Sequence, residues 1–356
     1  MSFSPNFLTT LIGSVPYLDT AATCQRIAKE IDIPFWPQMV KLGFRENMYT
    51  QYGAKLPSVV IDDEKEKITF DTTEDITPAL ETFYLPFLEE NVDYFGLPRG
   101  HADGFYTMLD VMKTVEAKHA SPLPENTWIK GQVTGPISMG LTITDQDLRA
   151  SLYNEMLADA LIKNAAMNAR WQVRQLKSVR PNVIIFVDEP YMASFGSAFI
   201  SLSREQVVAM LDEVFEAIHA ESALTGVHCC ANTDWSVLLE TQVNILNLDA
   251  YGYLENLALY PAELRRFLDR GGIVAWGIIP NNPEIDSVFP QGLADKLREG
   301  IALICEKAAS RGVKIAPQEF ETRSLITPAC GLGPTTPEIA DKVISTLADT
   351  GRILRG

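Results

Sequence analysis

Residues able to bind a soft divalent metal ion occur at two distant points of the sequence. His228 and Cys230 lie two positions apart in TGVHCC, and Cys330 lies in TPACGLG. Because alternate side chains of a strand point to one side, a strand would place His228 and Cys230 together and direct Cys229 to the opposite side. An H-x-C pair alone is common by chance, but two thiolates and one imidazole suit zinc. The sequence therefore predicts a zinc site in which Cys330 joins the pair.

The fourth ligand position has several candidates. Asp249 in NLDAY ends the apolar segment that follows the one carrying His228, and we expect it to bind the metal. An aspartate here would equally suit a helix cap or bonds to loop amides. Water or Asn232 are further alternatives.

The remaining cysteines and histidines favour packing roles. Cys24 and Cys305 lie among apolar neighbours in helical segments, which indicates inert buried thiols. The other histidines lie in charged, helical contexts and are expected at the surface or in packing: His101, His119 and His219.

This ligand set indicates thiol chemistry. A free thiol has a pKa of about 8.5 and is mostly protonated at neutral pH, whereas coordination to zinc removes the proton. Thiolate ligands keep a bound sulfur reactive, in contrast to zinc hydrolases, whose ligands favour activation of water. We therefore expect activation of a substrate thiol. A structural zinc in a binding or regulatory protein is the alternative.

Eight short apolar segments, each bounded by turn residues, are predicted as buried parallel strands. They span 9–15, 33–39, 127–133, 183–189, 225–230, 244–250, 272–278 and 324–330. Helical segments alternate with them, which predicts an α/β fold, a (β/α)8 TIM barrel, with an open doubly wound sheet as the alternative. In such barrels functional residues lie at the carboxyl ends of the strands, as Ser14, Asp188 and His228 do in the predicted strands.

One long connection interrupts this alternation. Residues 50–126 contain SVVIDDEKEKITFD, whose apolar arms around a charged turn predict a β-hairpin, followed by helical segments. We expect this insertion after the second strand to cap one end of the barrel. No Ser/Gly/Pro-rich linker divides the chain, so residues 1–356 are predicted to form a single domain.

Composition narrows the class of partner. A formal charge of -16 argues against nucleic acid and anionic membrane surfaces. The N-terminus lacks the pattern of a secretion signal, and no apolar run is long enough to span a bilayer. Five cysteines are too few and odd in number for a disulfide framework, which favours reduced thiols in the cytoplasm.

Five segments, taken together and in order, resemble the catalytic half of cobalamin-independent methionine synthase: TTLIGSVP, KGQVTGP, VDEP, VHCCANT and TPACGLG. The VHCCANT segment is also similar to methylcobamide:coenzyme M methyltransferases of the uroporphyrinogen decarboxylase superfamily. The resemblance implies a zinc-dependent methyltransferase that acts on homocysteine. It also implies that His228, Cys230, Cys330 and an acidic residue, here Asp249, hold the zinc.

The same resemblance implies the residues that bind the amino acid. The IGS turn of the family maps to Ile12 and Ser14, and the aspartate that binds the substrate ammonium maps to Asp188, which we take as both substrate-binding and catalytic. A tight turn with a hydroxyl cap, and a structural carboxylate, are the alternatives. A carboxylate at a strand end can pair with an ammonium group.

Departures from the family bear on the methyl donor. The Arg-Pro-Pro motif of the folate site has no match, and Leu42 stands where the family has an amino-acid-binding glutamate. An acidic protein also attracts a polyanionic folate tail poorly. We therefore expect a methylcorrinoid such as methylcobalamin, free or on a corrinoid protein, as the donor. The alternatives are another thiol acceptor such as coenzyme M, and a decarboxylase like uroporphyrinogen decarboxylase.

Overall fold

The computed structural model describes residues 3–117, 126–198 and 200–356. The strands are β1 (Leu8–Thr9), β2 (Val59–Asp62), β3 (Lys67–Phe70), β4 (Trp128–Thr134), β5 (Asn182–Asp188), β6 (Leu224–Cys229), β7 (Ile245–Leu248), β8 (Ile273–Ile279) and β9 (Ser324–Pro328). The helices are α1 (Thr20–Glu30), α2 (Met48–Gly53), α3 (Thr77–Leu88), α4 (Asp103–Ala117), α5 (Pro136–Thr142), α6 (Glu155–Leu176), α7 (Arg204–Ala220), α8 (Trp235–Glu240), α9 (Ala250–Tyr253), α10 (Pro261–Asp269), α11 (Pro290–Ser310), α12 (Pro317–Glu321) and α13 (Pro337–Arg355).

Seven strands form one parallel sheet in the order β1-β9-β8-β7-β6-β5-β4. From β4 to β9, consecutive strands are neighbours in the sheet and are connected through helices, so their carboxyl ends share one edge. Every residue of β4 and β8 is buried, as expected of strands covered on both sides. This curled α/β sheet is compatible with a TIM-like barrel.

The segment predicted as the second strand, 33–39, is not a regular strand of that sheet. Single bridges join Phe35 to Lys130 of β4 and Gln38 to Ser14 beyond β1. The prediction of a regular strand is wrong because proline has no backbone N–H to donate to a ladder. Two prolines lie inside the segment: Pro34 and Pro37. The segment nevertheless contacts both edges of the sheet.

A small apolar cluster of buried residues is separate from the larger core. All its members except Ile33 come from β4, β5, β7, β8 and β9, and where one strand supplies two of them they are two positions apart, as expected for side chains on one strand face. The members are Ile33, Trp128, Ile184, Phe186, Ile245, Ile273, Ala275 and Leu325. A larger cluster lies between the outer face of the sheet and the helices. Strand residues thus contribute to both apolar clusters.

The chain between the second predicted strand and β4 contains α2, β2, β3, α3 and α4. Strand β2 pairs antiparallel with β3, and the amide of Phe70 donates to the carbonyl of Thr144 beyond α5. Residues 118–125 of the predicted insertion lie outside the described part of the chain. None of the helices in the described ranges is both long and apolar enough to cross a membrane.

Candidate metal centre and adjoining cavity

Three side chains with metal-binding atoms converge at the carboxyl edge of the sheet. His228 lies near the end of β6, Cys230 follows that strand directly, and Cys330 follows β9. Their ligand atoms all lie within 4.8 Å of one another. Cys229, between the first two, is fully buried on the other side, where burial raises the pKa of its thiol to about 12. The alternation of strand side chains thus separates one inert thiol from two that meet.

The ring of His228 is oriented by Asn247 on the neighbouring strand β7. Its Nδ1 lies 2.5 Å from Oδ1 of Asn247, whose own amide nitrogen donates to the carbonyl of Ala275 and to Oγ1 of Thr327. Because the amide nitrogen of Asn247 makes these two bonds, its oxygen must face the imidazole ring. Nδ1 of His228 therefore carries a proton and donates it to that oxygen. The other nitrogen, Nε2, is buried and has no hydrogen-bond partner among the described residues.

The contact between the thiols of Cys230 and Cys330 shifts their pKa values in opposite directions. The hydrogen bond from the Cys330 thiol lowers the pKa of Cys230 well below its usual value, and His228 acts in the same direction. The same contact raises the pKa of Cys330. Burial lowers the pKa of His228, but the neighbouring Cys230 thiolate outweighs burial, and the net pKa is raised. These contacts favour the thiolate form of Cys230, and a bound divalent cation would displace the protons of Cys330 and His228.

Asp188 ends β5 beside His228, with which it is in register. The side chain is 5% exposed, and its Oδ1 has no hydrogen-bond partner among the described residues. Burial raises the pKa of Asp188, and the positive charges of His228 and Lys130 oppose that rise. Burial likewise lowers the pKa of Lys130, which Asp188 opposes. An unpartnered carboxylate oxygen is thus held next to the three metal-binding side chains.

Ile12 and Ser14 lie on the turn that follows β1. The ammonium group of Lys130 donates to the carbonyl of Ile12, and the amide of Gly333 donates to Oγ of Ser14 at 3.2 Å. A Cβ atom on Gly331 would lie only 2.4 Å from the same Oγ, so a side chain there would displace the hydroxyl. Since Oγ accepts from Gly333, its own proton is available to a ligand.

These residues surround one cavity of about 370 Å³. The residues predicted from sequence to bind metal or substrate that line it are Ile12, Ser14, Asp188, His228, Cys230 and Cys330. The rest of the lining is Gln38, Val40, Asn47, Met48, Pro190, Gly331, Gly333 and Pro334. Two sulfurs, one imidazole and one carboxylate thus line a space large enough for an amino acid.

Asp249, predicted as the fourth ligand, is not part of the group of three. It is the N-cap residue of α9, and its Oδ1 accepts from the amide of Gly252 at 2.8 Å. The helix begins directly after β7, so the carboxylate satisfies free amides of its first turn. Asn232 is exposed, and neither it nor Leu42 lines the cavity.

The other described thiols and imidazoles are not part of the group of three. Burial raises the pKa of Cys24 to about 12 and that of Cys305 to about 11. His101 contacts the carbonyl of Thr50, and His219 bonds Asn244. His119 lies outside the described residues.

Sequence reasoning missed two polar residues of this region, Asn247 and Gln38. Asn247 is fully buried inside an otherwise apolar strand, and this unusual placement was the available signal. The sequence signal for Gln38 was weaker, because polar residues are common at strand ends even where no ligand binds.

No protein-family model and no curated protein sequence matches this chain. A methyltransferase from Methanosarcina mazei superimposes with a TM-score of 0.54 at 13% sequence identity, over 98% of this chain and 94% of that one. A B12-independent methionine synthase from Shewanella sp. W3-18-1, solved in complex with selenomethionine, superimposes with a TM-score of 0.42 at 19% identity. That match covers 69% of this chain and 66% of the other, which is less than two thirds of its length. At these identities, the likeness to the Methanosarcina protein shows a shared fold alone.

Proposed function

We propose that this protein is a zinc-dependent methyltransferase that moves a methyl group from a methylcorrinoid to the thiol of homocysteine, forming methionine. The observation that carries the proposal is the meeting of one free imidazole nitrogen and two sulfurs on the wall of the cavity that also holds the unpartnered oxygen of Asp188.

The donor set fits zinc. Nε2 of His228 is buried without a partner, which is costly unless a ligand completes it. Two cysteine sulfurs, from Cys230 and Cys330, and the imidazole of His228 form a ligand set that is typical of zinc sites. Zinc usually has four ligands, so three protein ligands leave one coordination position open. Since Asp249 is engaged at its helix, we assign that place to water or to the substrate thiol. Zinc held by these residues would lower the pKa of a substrate thiol bound to it, so that the thiol would react as a thiolate at neutral pH.

The other residues of the cavity suit the amino-acid part of homocysteine. The carboxylate of Asp188 pairs with the substrate ammonium, an interaction that burial strengthens. The hydroxyl proton of Ser14 donates to the substrate carboxylate, while Lys130 holds the turn at Ile12. Neither lysine nor arginine lines the described cavity, which disfavours a decarboxylase that must hold several carboxylates. Asp188 likewise favours an acceptor with an ammonium group over coenzyme M.

The donor must approach from outside. A cavity of about 370 Å³ suits an amino acid, but a corrinoid ring is much larger and must present its methyl group at the mouth. We assign the described part of the 50–126 segment, within a single domain, as the surface where a corrinoid protein docks. All five cysteines are free, which suits the reducing cytoplasm.

The test combines metal content with turnover. Zinc-loaded protein should form methionine from homocysteine and methylcobalamin, with about one zinc per chain, as expected of one three-ligand site. Cys330→Ser should lose zinc and turnover. Cys305→Ser is the matched control, because this buried thiol lies away from the centre, and it should retain both. Zinc-loaded wild-type protein that forms no methionine would contradict the proposal.

A further inference from the structure

Three buried polar side chains, Gln38, Gln51 and Glu46, form a hydrogen-bonded line that leads away from the cavity. Gln38, in the cavity wall, donates from Nε2 to Oε1 of Gln51 at 2.8 Å. Gln51 in turn donates from Nε2 to Oε2 of Glu46 at 2.9 Å, and Oε1 of Glu46 accepts from the amide of Asp103 at 2.7 Å. Each of the three side chains is at most 4% exposed, so water competes little for these bonds. The proposed reaction uses none of them.

The carboxylate sets the direction of this line. Burial raises the pKa of Glu46, whereas hydrogen bonds from the backbone amides of Asp103 and Met39 and from Gln51 favour its ionised form. An ionised carboxylate can only accept, so Gln51 must turn its amide nitrogen toward Glu46 and its oxygen toward Gln38. Gln38 must then turn its own nitrogen toward Gln51. Its remaining atom, Oε1, accepts no hydrogen bond from the described residues. A Cβ atom on Gly13 would lie 2.7 Å from this oxygen, so the adjacent turn leaves it room.

We propose that Glu46 is a positioning residue: through Gln51 it holds the Gln38 amide with its oxygen toward the cavity, where that oxygen accepts a hydrogen bond from the protonated amine of the substrate. The inference rests on the proposed function for the identity of that substrate. Asp188 supplies a second acceptor in the same cavity, together with the compensating charge. Two acceptors suit an ammonium group, which has three donors.

The substitution Glu46→Gln should reverse the line without removing it. The new amide must keep its oxygen for the backbone amide of Asp103 and turn its nitrogen toward Gln51. Gln51 and Gln38 must then both flip, and Gln38 would present N–H groups to the cavity instead of an oxygen. A change that is buried behind two other side chains would thus convert an acceptor into a donor at the substrate.

Binding to zinc-loaded full-length protein provides the first measurement. L-homocysteine should bind Glu46→Gln about 10- to 100-fold more weakly than wild type, the loss expected for one hydrogen bond to a charged group. The probe 4-mercaptobutanoate has the same thiol and carboxylate but no amine, and its affinity should be unchanged. Glu319→Gln, a charge-matched substitution at a salt bridge with Arg265 outside the cavity lining, should alter neither affinity.

Adding Gln38→Glu to Glu46→Gln should restore homocysteine binding, because the new carboxylate accepts from the flipped Gln51 and still offers an oxygen to the cavity. Gln38→Glu alone should also retain homocysteine binding, because its carboxylate offers an acceptor oxygen to the cavity whichever way Gln51 is turned. Equal weakening of both probes by Glu46→Gln, or no weakening of homocysteine binding, would overturn the inference.

Exchange of the Gln38 side-chain amide with solvent, followed by NMR of glutamine-labelled protein without any thiol, tests the orientation separately. The exchange should be slow in wild type and fast in Glu46→Gln. Equal rates would overturn the proposed orientation whatever the substrate. If wild type binds no homocysteine but the rates differ as expected, the orientation stands, and both the amine contact and the proposed acceptor fail.

Discussion

Replacing Asn247 by alanine should weaken zinc binding although none of the three proposed ligands is changed. Asn247 is the partner of Nδ1 of His228, and its own orientation depends on the carbonyl of Ala275 and Oγ1 of Thr327. Without Asn247, the ring loses the acceptor that fixes the tautomer with Nε2 free. Zinc would then have to be bound by a ring that is no longer held in place.

The expected loss follows from this contact. Removing the partner of a metal-binding histidine reduces metal affinity by about 10- to 100-fold, or about 1.4–2.8 kcal/mol. The buried Nδ1 left without an acceptor costs a similar amount, about 1–3 kcal/mol. Because Asn247 also bonds Ala275 and Thr327, the metal-free variant should unfold at a lower temperature, and affinities must be compared where both proteins are folded.

The assay is competition for zinc with a chromogenic chelator. Asn244→Ala is the matched control: Asn244 is the partner of His219 at 2.8 Å, just before the same strand, but the cavity does not include either residue. This control should lose stability and keep its zinc affinity. Wild-type zinc affinity in Asn247→Ala, or an equal loss in both variants, would refute the assigned orientation of His228.

Three further outcomes are expected. Asp188→Asn should weaken homocysteine binding by about tenfold or more and leave 4-mercaptobutanoate binding unchanged in calorimetric titrations, because only the former has an ammonium group. Gly331→Ala should lower homocysteine affinity by displacing Oγ of Ser14, which lies 2.4 Å from the new Cβ, whereas Gly100→Ala, with nothing within 4 Å, should not. A hydrogen bond from an arginine holds the pKa of Glu319 at about 2, below its usual value of 4.5. Its stabilisation is therefore present above about pH 4.5 and is lost toward pH 2; at this partly exposed site Glu319→Gln should remove no more than about 1 kcal/mol of it, measured by denaturant unfolding at both ends of that range.

Much of the architecture follows from local patterns. The buried segments that become β4, β5, β6, β7, β8 and β9 are apolar enough to need cover on both faces, and helical segments alternate with them. The segment 33–39 has the same apolar character, but its prolines prevent a regular ladder and leave isolated bridges. Prediction from apolar content alone therefore assigns too many strand residues in segments where prolines remove backbone N–H donors.

The sequence by itself determined which residue types could form the centre and that His228 and Cys230 share one face of a strand, because the spacing of strand side chains is a local property. Only the tertiary structure decided that Cys330 lies beside them, that Asp249 caps a helix instead, and that Asn247 orients the imidazole. Those outcomes depend on how separate strands align across the sheet. Contacts between residues far apart in sequence depend on the register and packing of the whole fold, which no local pattern specifies.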